Sequence, residues 1–268
     1  MMHEETVFHR AVSSKSKTLL WIKLCLIGMI CSGSLQACTD NLPFDEAPDP
    51  SGSTGKYTRQ AIQKMKGFWE EKDSLLQAHR ISDSLFIALS TDSAWSLTEE
   101  KSIRLRQLRD GVSMPDSTTL LAKFISLNDI ATYTENRYGG TVGGFVVEAA
   151  DVKSLTDLEK VYRGMRLDYT GSDFSPDASG YAVLRFYSRY ASRLQIPYCP
   201  ELGGEQEHAW PNGGGGFTTS TLGYGGFPEW RFDGYYAPKE GAELYEMNTK
   251  GKETLRAVYR EGRWQEVE

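Results

Sequence analysis

Four glycines in a row, residues 213–216, open the segment Phe217-Thr-Thr-Ser220, and Leu222-Gly-Tyr-Gly-Gly-Phe-Pro-Glu229-Trp230 follows. A glycine cluster can cradle a phosphate, because successive backbone N–H groups reach the anion with no side chain in the way. This one lacks the Gly-Lys-Ser/Thr of a phosphate-binding loop, and no helical pattern follows it. It is expected to be a surface loop leading into a strand. Tyr187, Tyr190, Tyr198, Trp210, Tyr224, Trp230, Tyr235 and Tyr236 crowd the same half of the chain. Rings with an apolar face and a polar edge can stack on a sugar or a peptide, and in a β domain most of them serve the core. His79, His208 and the cysteines show no zinc or calcium spacing.

A second pattern runs through the same half. Val161-Tyr-Arg163-Gly164 comes first, Phe217-Thr-Thr-Ser220 later, and Glu240-Gly-Ala-Glu243-Leu-Tyr last. This order resembles the Arg…Ser-Thr-Ser…Glu constellation of the ADP-ribosyltransferase fold found in secreted toxins. The resemblance implies NAD as cofactor, Arg163 on a phosphate of NAD, Ser220 on the nicotinamide-side strand, and Glu243 steadying the ribose as it becomes an oxocarbenium ion. Such roles need a fixed guanidinium and a carboxylate facing a developing positive charge. The chain departs from the pattern in the short spacing between Ser220 and Glu243, and in Gly241 where arginine-modifying members carry a second glutamate. A variant, with the look of C-terminal domains on polymorphic bacterial toxins, lines the cleft with Arg166, Asp168 and Glu229 instead. For Arg166 and Asp168 the plainer reading is an ordinary ion pair, worth little energetically.

The elements that must position these residues change character along the chain. Residues 57–135 read mostly as helix. Ile62, Met65, Trp69 and Leu76 fall near helical spacing within 57–81. A second helix is predicted from Ser96, with Glu99 completing a capping box, to Gly111. A third begins near Asp116 and carries Leu120, Leu121, Phe124 and Ile125. From Gly139 glycines and aromatics rise and alternation replaces helical spacing. Strands are expected at 142–148, 165–169, 181–187, 229–232, 243–247, 254–259 and 264–267, with one short helix at 156–162. Asn248-Thr-Lys-Gly251 and Glu261-Gly262 supply turns. The fold class is α+β: a helical lead-in over 57–137, then a mainly antiparallel β domain over 138–268.

The N-terminus reads as an address. A polar stretch with Arg10, Lys15 and Lys17 precedes an apolar run from Thr18 to Cys31, and Ser32-Gly-Ser-Leu-Gln-Ala-Cys38 follows. A basic flank, a short apolar core and small residues at its end mark a secretory signal. The core is too short for a permanent span of ~20 apolar residues, and Lys23 interrupts it. Leu35-Gln36-Ala37-Cys38 resembles the lipobox of bacterial lipoproteins. That resemblance implies cleavage before Cys38, lipid on its thiol, and a membrane as partner. One acyl chain anchors only marginally and several anchor firmly. Residues 38–56 are rich in proline, glycine, serine and acid, the composition of a flexible tether. Acidic residues just past Cys38 resemble the export signal of surface-exposed lipoproteins in Bacteroides-type bacteria, which implies the outer membrane.

The 268 residues carry 30 Lys/Arg and 36 Asp/Glu, a net charge of −6. The leader, residues 1–37, holds four basic and two acidic residues, so the mature chain keeps 26 and 34, a net of −8. Such a surface has no general attraction for nucleic acid, and an unidentified protein or small molecule is the expected ligand. Cys25 and Cys31 fall in the leader and Cys38 takes the lipid. Cys199 is left alone, and is expected to be a buried small hydrophobe.

Overall fold

The computed structural model describes residues 55–169, 171–208, 213–218 and 225–267. The leader, Cys38 and most of the expected tether lie outside the described residues, as do Trp210, Ser220 and Tyr224. The strands are β1 (Leu121–Ile125), β2 (Val142–Glu148), β3 (Gly180–Phe186), β4 (Leu194–Gln195), β5 (Trp230–Tyr236), β6 (Glu243–Asn248), β7 (Glu253–Arg260) and β8 (Arg263–Glu266). They form one curled antiparallel sheet in the order β4-β5-β2-β1-β3-β6-β7-β8. The helices are α1 (Arg59–Ile62), α2 (Phe68–Ala78), α3 (Asp83–Thr91), α4 (Glu99–Asp110), α5 (Ile130–Thr134) and α6 (Leu158–Gly164). The α+β class expected from the sequence is the one observed.

Alternation along the strands feeds two cores. Ala122, Val147, Tyr181, Val183, Tyr245 and Met247 turn to one face, where Ile62, Phe68, Leu89, Leu105, Leu108 and Val161 from the helices cover them. Leu121, Val146, Leu184, Leu244 and Ala257 turn to the other face, together with Tyr133 of α5, Trp230 and Trp264. Strand β3 lies between both cores and is buried along its whole length. Asn136 then closes one edge. Its Nδ2 donates to Trp264 O at 3.1 Å and its Oδ1 accepts from Trp264 N at 2.8 Å, so an amide side chain stands where a ninth strand would pair with β8.

Several elements differ from the sequence-based expectation. The helix expected from Asp116 is strand β1, between β2 and β3 at the centre of the sheet. A strand buried on both faces shows apolar pairs rather than alternation, and such pairs also fit a helix. The sheet therefore begins inside the region expected to be helical. The helix expected over 57–81 is split into α1 and α2 at Gly67, which is extended (φ −150°, ψ −159°). A Cβ there would collide with Asp151, whose Oδ1 accepts from Phe68 N at 2.7 Å and so caps α2 from 83 residues away. Helix α3 had no sequence-based counterpart. Helix α4 starts two residues past the expected box, with Thr98 as its cap. Residues 165–169 form no strand but follow the end of α6. Three helices, α2, α5 and α6, end in the same motif, with Arg80, Asn136 and Arg166 in the left-handed region (φ 53°, 55° and 51°). The following amides, Ile81 N, Arg137 N and Leu167 N, return to Leu76 O, Thr132 O and Tyr162 O at 2.9 Å each. The expected turn at Glu261-Gly262 is present, with φ of 52° and 77°, as a two-residue hairpin of this kind requires.

Candidate functional site

Glu243 opens β6, buried, on the face covered by the helices. Its two carboxylate oxygens accept from Lys56 N and Tyr57 N at 2.6 Å each, and Tyr245 Oη donates to it at 2.5 Å. Burial and this carboxylate push the Tyr245 phenol far up. Arg185 on β3 donates to Tyr57 O at 2.6 Å and pairs with Glu253 at 2.8 Å, and Glu253 accepts from Arg59 N at 2.8 Å. A Cβ at Gly55 would collide with Tyr245 Oη. Together these groups grip the backbone of residues 56–59 where the chain enters the domain. The Glu243 carboxylate is thus occupied by its own polypeptide.

Arg163 sits on the open side of α6 and pairs with Glu159 one turn back, at 3.2 Å. No hydrogen bond or ion pair among the described residues joins it to Glu243. Arg166 pairs with Asp168 at 2.9 Å, both partly exposed, just past the α6 stop. Glu229 lies elsewhere, buried at the entrance to β5, next to an arginine that the sequence reading passed over.

That residue is Arg109, near the end of α4 and fully buried. Its Nε donates to Gly216 O at 2.6 Å and its Nη2 to Glu229 O at 2.8 Å. The guanidinium lies over the rings of Trp230 (4.8 Å) and Phe217 (5.5 Å). Glu229 N also donates to Gly216 O at 3.0 Å, and Thr218 N to Phe227 O at 2.9 Å. Arg109 thereby pins the glycine-rich segment to the start of β5, with its pKa lowered to about 10 by burial. The segment expected to be a surface loop is therefore buried over residues 213–218. A Cβ at Gly216 would collide with Ile196 and crowd Arg109, so the glycine serves a close approach.

Two carboxyls share this region. Burial pushes Asp151 up to about 7, against the pull of the Phe68 N–H, Lys153 and Arg109. Burial, then Asp151, Glu71 and Asp116, push Glu148 up to about 8, with Arg109 opposing. In the unfolded chain both groups release their protons near pH 4. Between about pH 4 and pH 8 the folded state therefore binds more protons than the unfolded state, and stability falls as pH rises through that window. Lys123 acts only above it: burial lowers its ammonium to about 8, and its Nζ donates to Phe145 O at 3.4 Å. The expected result is a urea midpoint lower at pH 8 than at pH 5, by a stability difference on the order of 6 kcal/mol. A midpoint that rises over that range would overturn the assignment.

The remaining expectations divide. Cys199 is buried and unpaired, with its thiol pushed up to about 11 by burial, an inert core residue. His208 stacks on Trp95 at 4.5 Å and bonds Glu201 at 2.9 Å, and His79 lies against Gly111. Among the described residues no group of three His, Cys, Asp or Glu side chains could hold a metal ion. Of the aromatic set, Tyr198 and Trp230 are core. Tyr190, Tyr235 and Tyr236 are placed differently.

Tyr235 is 64% exposed and lies opposite Gly143, with its ring 5.7 Å from that of Tyr138, itself 46% exposed. A Cβ at Gly143 would collide with the Tyr235 ring. Tyr236 projects to the other face, as successive strand residues must. Its ring stacks on Tyr190 at 4.9 Å and 27°, and Tyr190 is 44% exposed. Tyr236 Oη donates to Asp233, which also faces Arg193 at 3.6 Å. Two tyrosine pairs thus flank the C-terminal end of β5. No family model, curated protein or solved structure matches this chain. Two rigid aromatic platforms, with a carboxylate and a guanidinium at the rim of one, can hold a ligand by stacking and hydrogen bonding.

Proposed function

We propose that this chain is a lipid-anchored cell-envelope lipoprotein, tethered to the outer membrane through Cys38, whose folded domain is a binding module. The Leu35-Gln36-Ala37-Cys38 lipobox at the end of a short apolar core supports the anchor. No helix among the described residues is long and apolar enough to cross a membrane. The observation that carries the binding reading is the pair of exposed tyrosine platforms on β5. Large rings held at 44–64% exposure, rigid because each is braced by a neighbouring ring, are ligand anchors with little conformational entropy to lose.

The transferase reading draws no support from residue placement. Glu243 is enclosed by the backbone of residues 56 and 57, and Arg163 is paired on an outer helix face. Calorimetry with NAD separates the two readings. The expected result is no heat at millimolar NAD. Micromolar binding that disappears in Arg163→Ala or Arg166→Ala would turn the conclusion to the enzyme.

A further inference from the structure

We infer that the two tyrosine platforms at the end of β5 rest on the zwitterionic surface of the bilayer that holds the Cys38 lipid. The inference rests on the lipoprotein and binding-module reading and names the partner of that same site. Three observations carry it. The first is where the chain enters the domain. Glu243 and Arg185 grip the backbone of residues 56 and 57, and the Tyr57 ring stands edge-on to Tyr187 at 5.6 Å. Tyr187 O accepts from Lys239 N at 2.8 Å, Ser188 bridges to Pro238, and Ser188 Oγ accepts from Tyr190 N at 3.0 Å. Residues 187–190 and 235–239, the two arms that carry Tyr190, Tyr235 and Tyr236, therefore meet beside the entry point. The platforms stand on the side of the domain from which the chain runs back to Cys38.

The second observation is reach. Cys38 lies 17 positions before Gly55. A coil of that length averages ~23 Å end to end and spans ~60 Å at full stretch. Attachment through such a connection holds a domain at the surface with an effective concentration in the millimolar range. A contact with a dissociation constant on the order of 1 mM, too weak to retain an unlipidated chain, is then occupied about half the time.

The third observation is chemistry. Tyr138, Tyr190 and Tyr235 are the exposed rings of the two pairs. A phenol suits the boundary between water and acyl chains, with its ring toward the apolar side and its hydroxyl among the headgroups. Tyr235 and Tyr236 point to opposite faces of β5, so a surface laid across the strand end touches the rims of both pairs. The charges around them offset one another. Arg193 pairs with Asp233 at 3.6 Å, and Glu240 accepts from the amides of Glu261 and Gly262 at 3.0 and 3.4 Å. Gly140, two residues past Tyr138, packs on Gly262, and in that hairpin the exposed Glu261 lies between the exposed Arg260 and Arg263. A rim of alternating sign attracts neither cations nor anions as a class, and it matches headgroups that carry both charges.

The test uses the full-length lipidated protein in phosphatidylcholine vesicles that carry a nitroxide quencher on the acyl chain. Cys38 takes the lipid and Cys199 is buried, so an introduced cysteine takes a fluorescent label selectively. Ser192→Cys labels the exposed loop two residues past Tyr190, and Ser84→Cys labels α3 in the helical layer. The expected result is quenching about threefold stronger at position 192 than at position 84, unchanged in ~0.5 M salt, and levelled by the pair Tyr190→Ser with Tyr235→Ser. The intact mass of each form reports the lipid, and its melting temperature reports the fold. Equal quenching at the two positions in a lipidated, folded protein would overturn the inference and leave the lipoprotein standing, its platforms open to a soluble ligand. Selective quenching that survives the tyrosine variants would take the contact away from the platforms. Quenching that salt abolishes would overturn the zwitterionic surface in favour of a charged one. Absence of the lipid mass would overturn both this inference and the reading on which it rests.

Discussion

Replacing Arg109 with alanine is expected to destabilise the domain by about 4 kcal/mol, read as a fall in the urea midpoint. The guanidinium makes two short hydrogen bonds, to Gly216 O and Glu229 O, and both acceptors are far away in the chain, by 107 and 120 residues. Hydrogen bonds from a charged donor contribute roughly 1.5–3 kcal/mol each, and losing the donor leaves Gly216 O with the Glu229 N–H and strips one buried bond from Glu229 O. Contacts with Trp230 and Phe217 are lost as well. One effect works against this. The guanidinium is itself costly to bury, as its lowered pKa of about 10 records, and its Nη1 has no hydrogen-bond partner among the described residues. Arg109→Met tells the two effects apart. It keeps the stem, removes the buried charge and gives up both hydrogen bonds, so a loss of about 2 kcal/mol is expected. Arg104→Ala, at an exposed pair with Glu100 on the same helix, should stay within ~0.5 kcal/mol. A loss below ~1 kcal/mol for Arg109→Ala would mean that the glycine-rich segment is held without it.

Replacing Cys38 with alanine is expected to move essentially all of the protein from the membrane fraction to the soluble fraction, and to remove the mass of the attached lipid. The argument comes from the sequence. The thiol is the only group in Leu35-Gln36-Ala37-Cys38 that can accept the diacylglycerol. Each buried methylene contributes ~0.8 kcal/mol, so losing two or more acyl chains removes far more membrane affinity than residual surface contacts could restore. Fractionation of cells expressing the two forms, with intact-mass measurement, decides it. A variant that still sediments with membranes and keeps its lipid would end the lipoprotein reading.

What the sequence disclosed about the fold depended on whether local chemistry announced it. The hairpin at Glu261-Gly262 and strands β2, β3, β6, β7 and β8 were legible from turn residues and alternation. The helix stops at Arg80, Asn136 and Arg166 were not, because the left-handed position where glycine is usual carries arginine or asparagine there. Strand β1 was hidden by burial on both faces, and the break before α2 by a capping group, Asp151, that reaches it only in three dimensions. The candidate sites divide on the same line. Glu243 looked catalytic because it completed an Arg…Ser…Glu order, and the backbone of residues 56–57 that occupies it is a contact no local pattern encodes. Arg109 looked like one more charge on a solvated helix beside Arg104 and Arg106. Its spacing was the available sign: it falls four residues after Leu105 and directly after Leu108, on the stripe that faces the core. The tyrosines were noticed as a group, but which of them stand outside was decided by the sheet order, which no local pattern encodes.

That sheet order has a consequence for when the chain can fold. Only β6, β7 and β8 are joined to their neighbours by short turns. Strand β2 must find β5, β1 must find β3, and α4 must reach Glu229 through Arg109 across 120 residues. Each of these meetings closes a long loop before any contact rewards it, so folding waits on the slow, distant pairings. The segment emerging first cannot collapse into a finished domain by itself, because its β1 and α4 lack their partners until β5 has followed. Until that last third has been made, the chain lacks the partners that complete its two cores, and it gains its structure late and all at once.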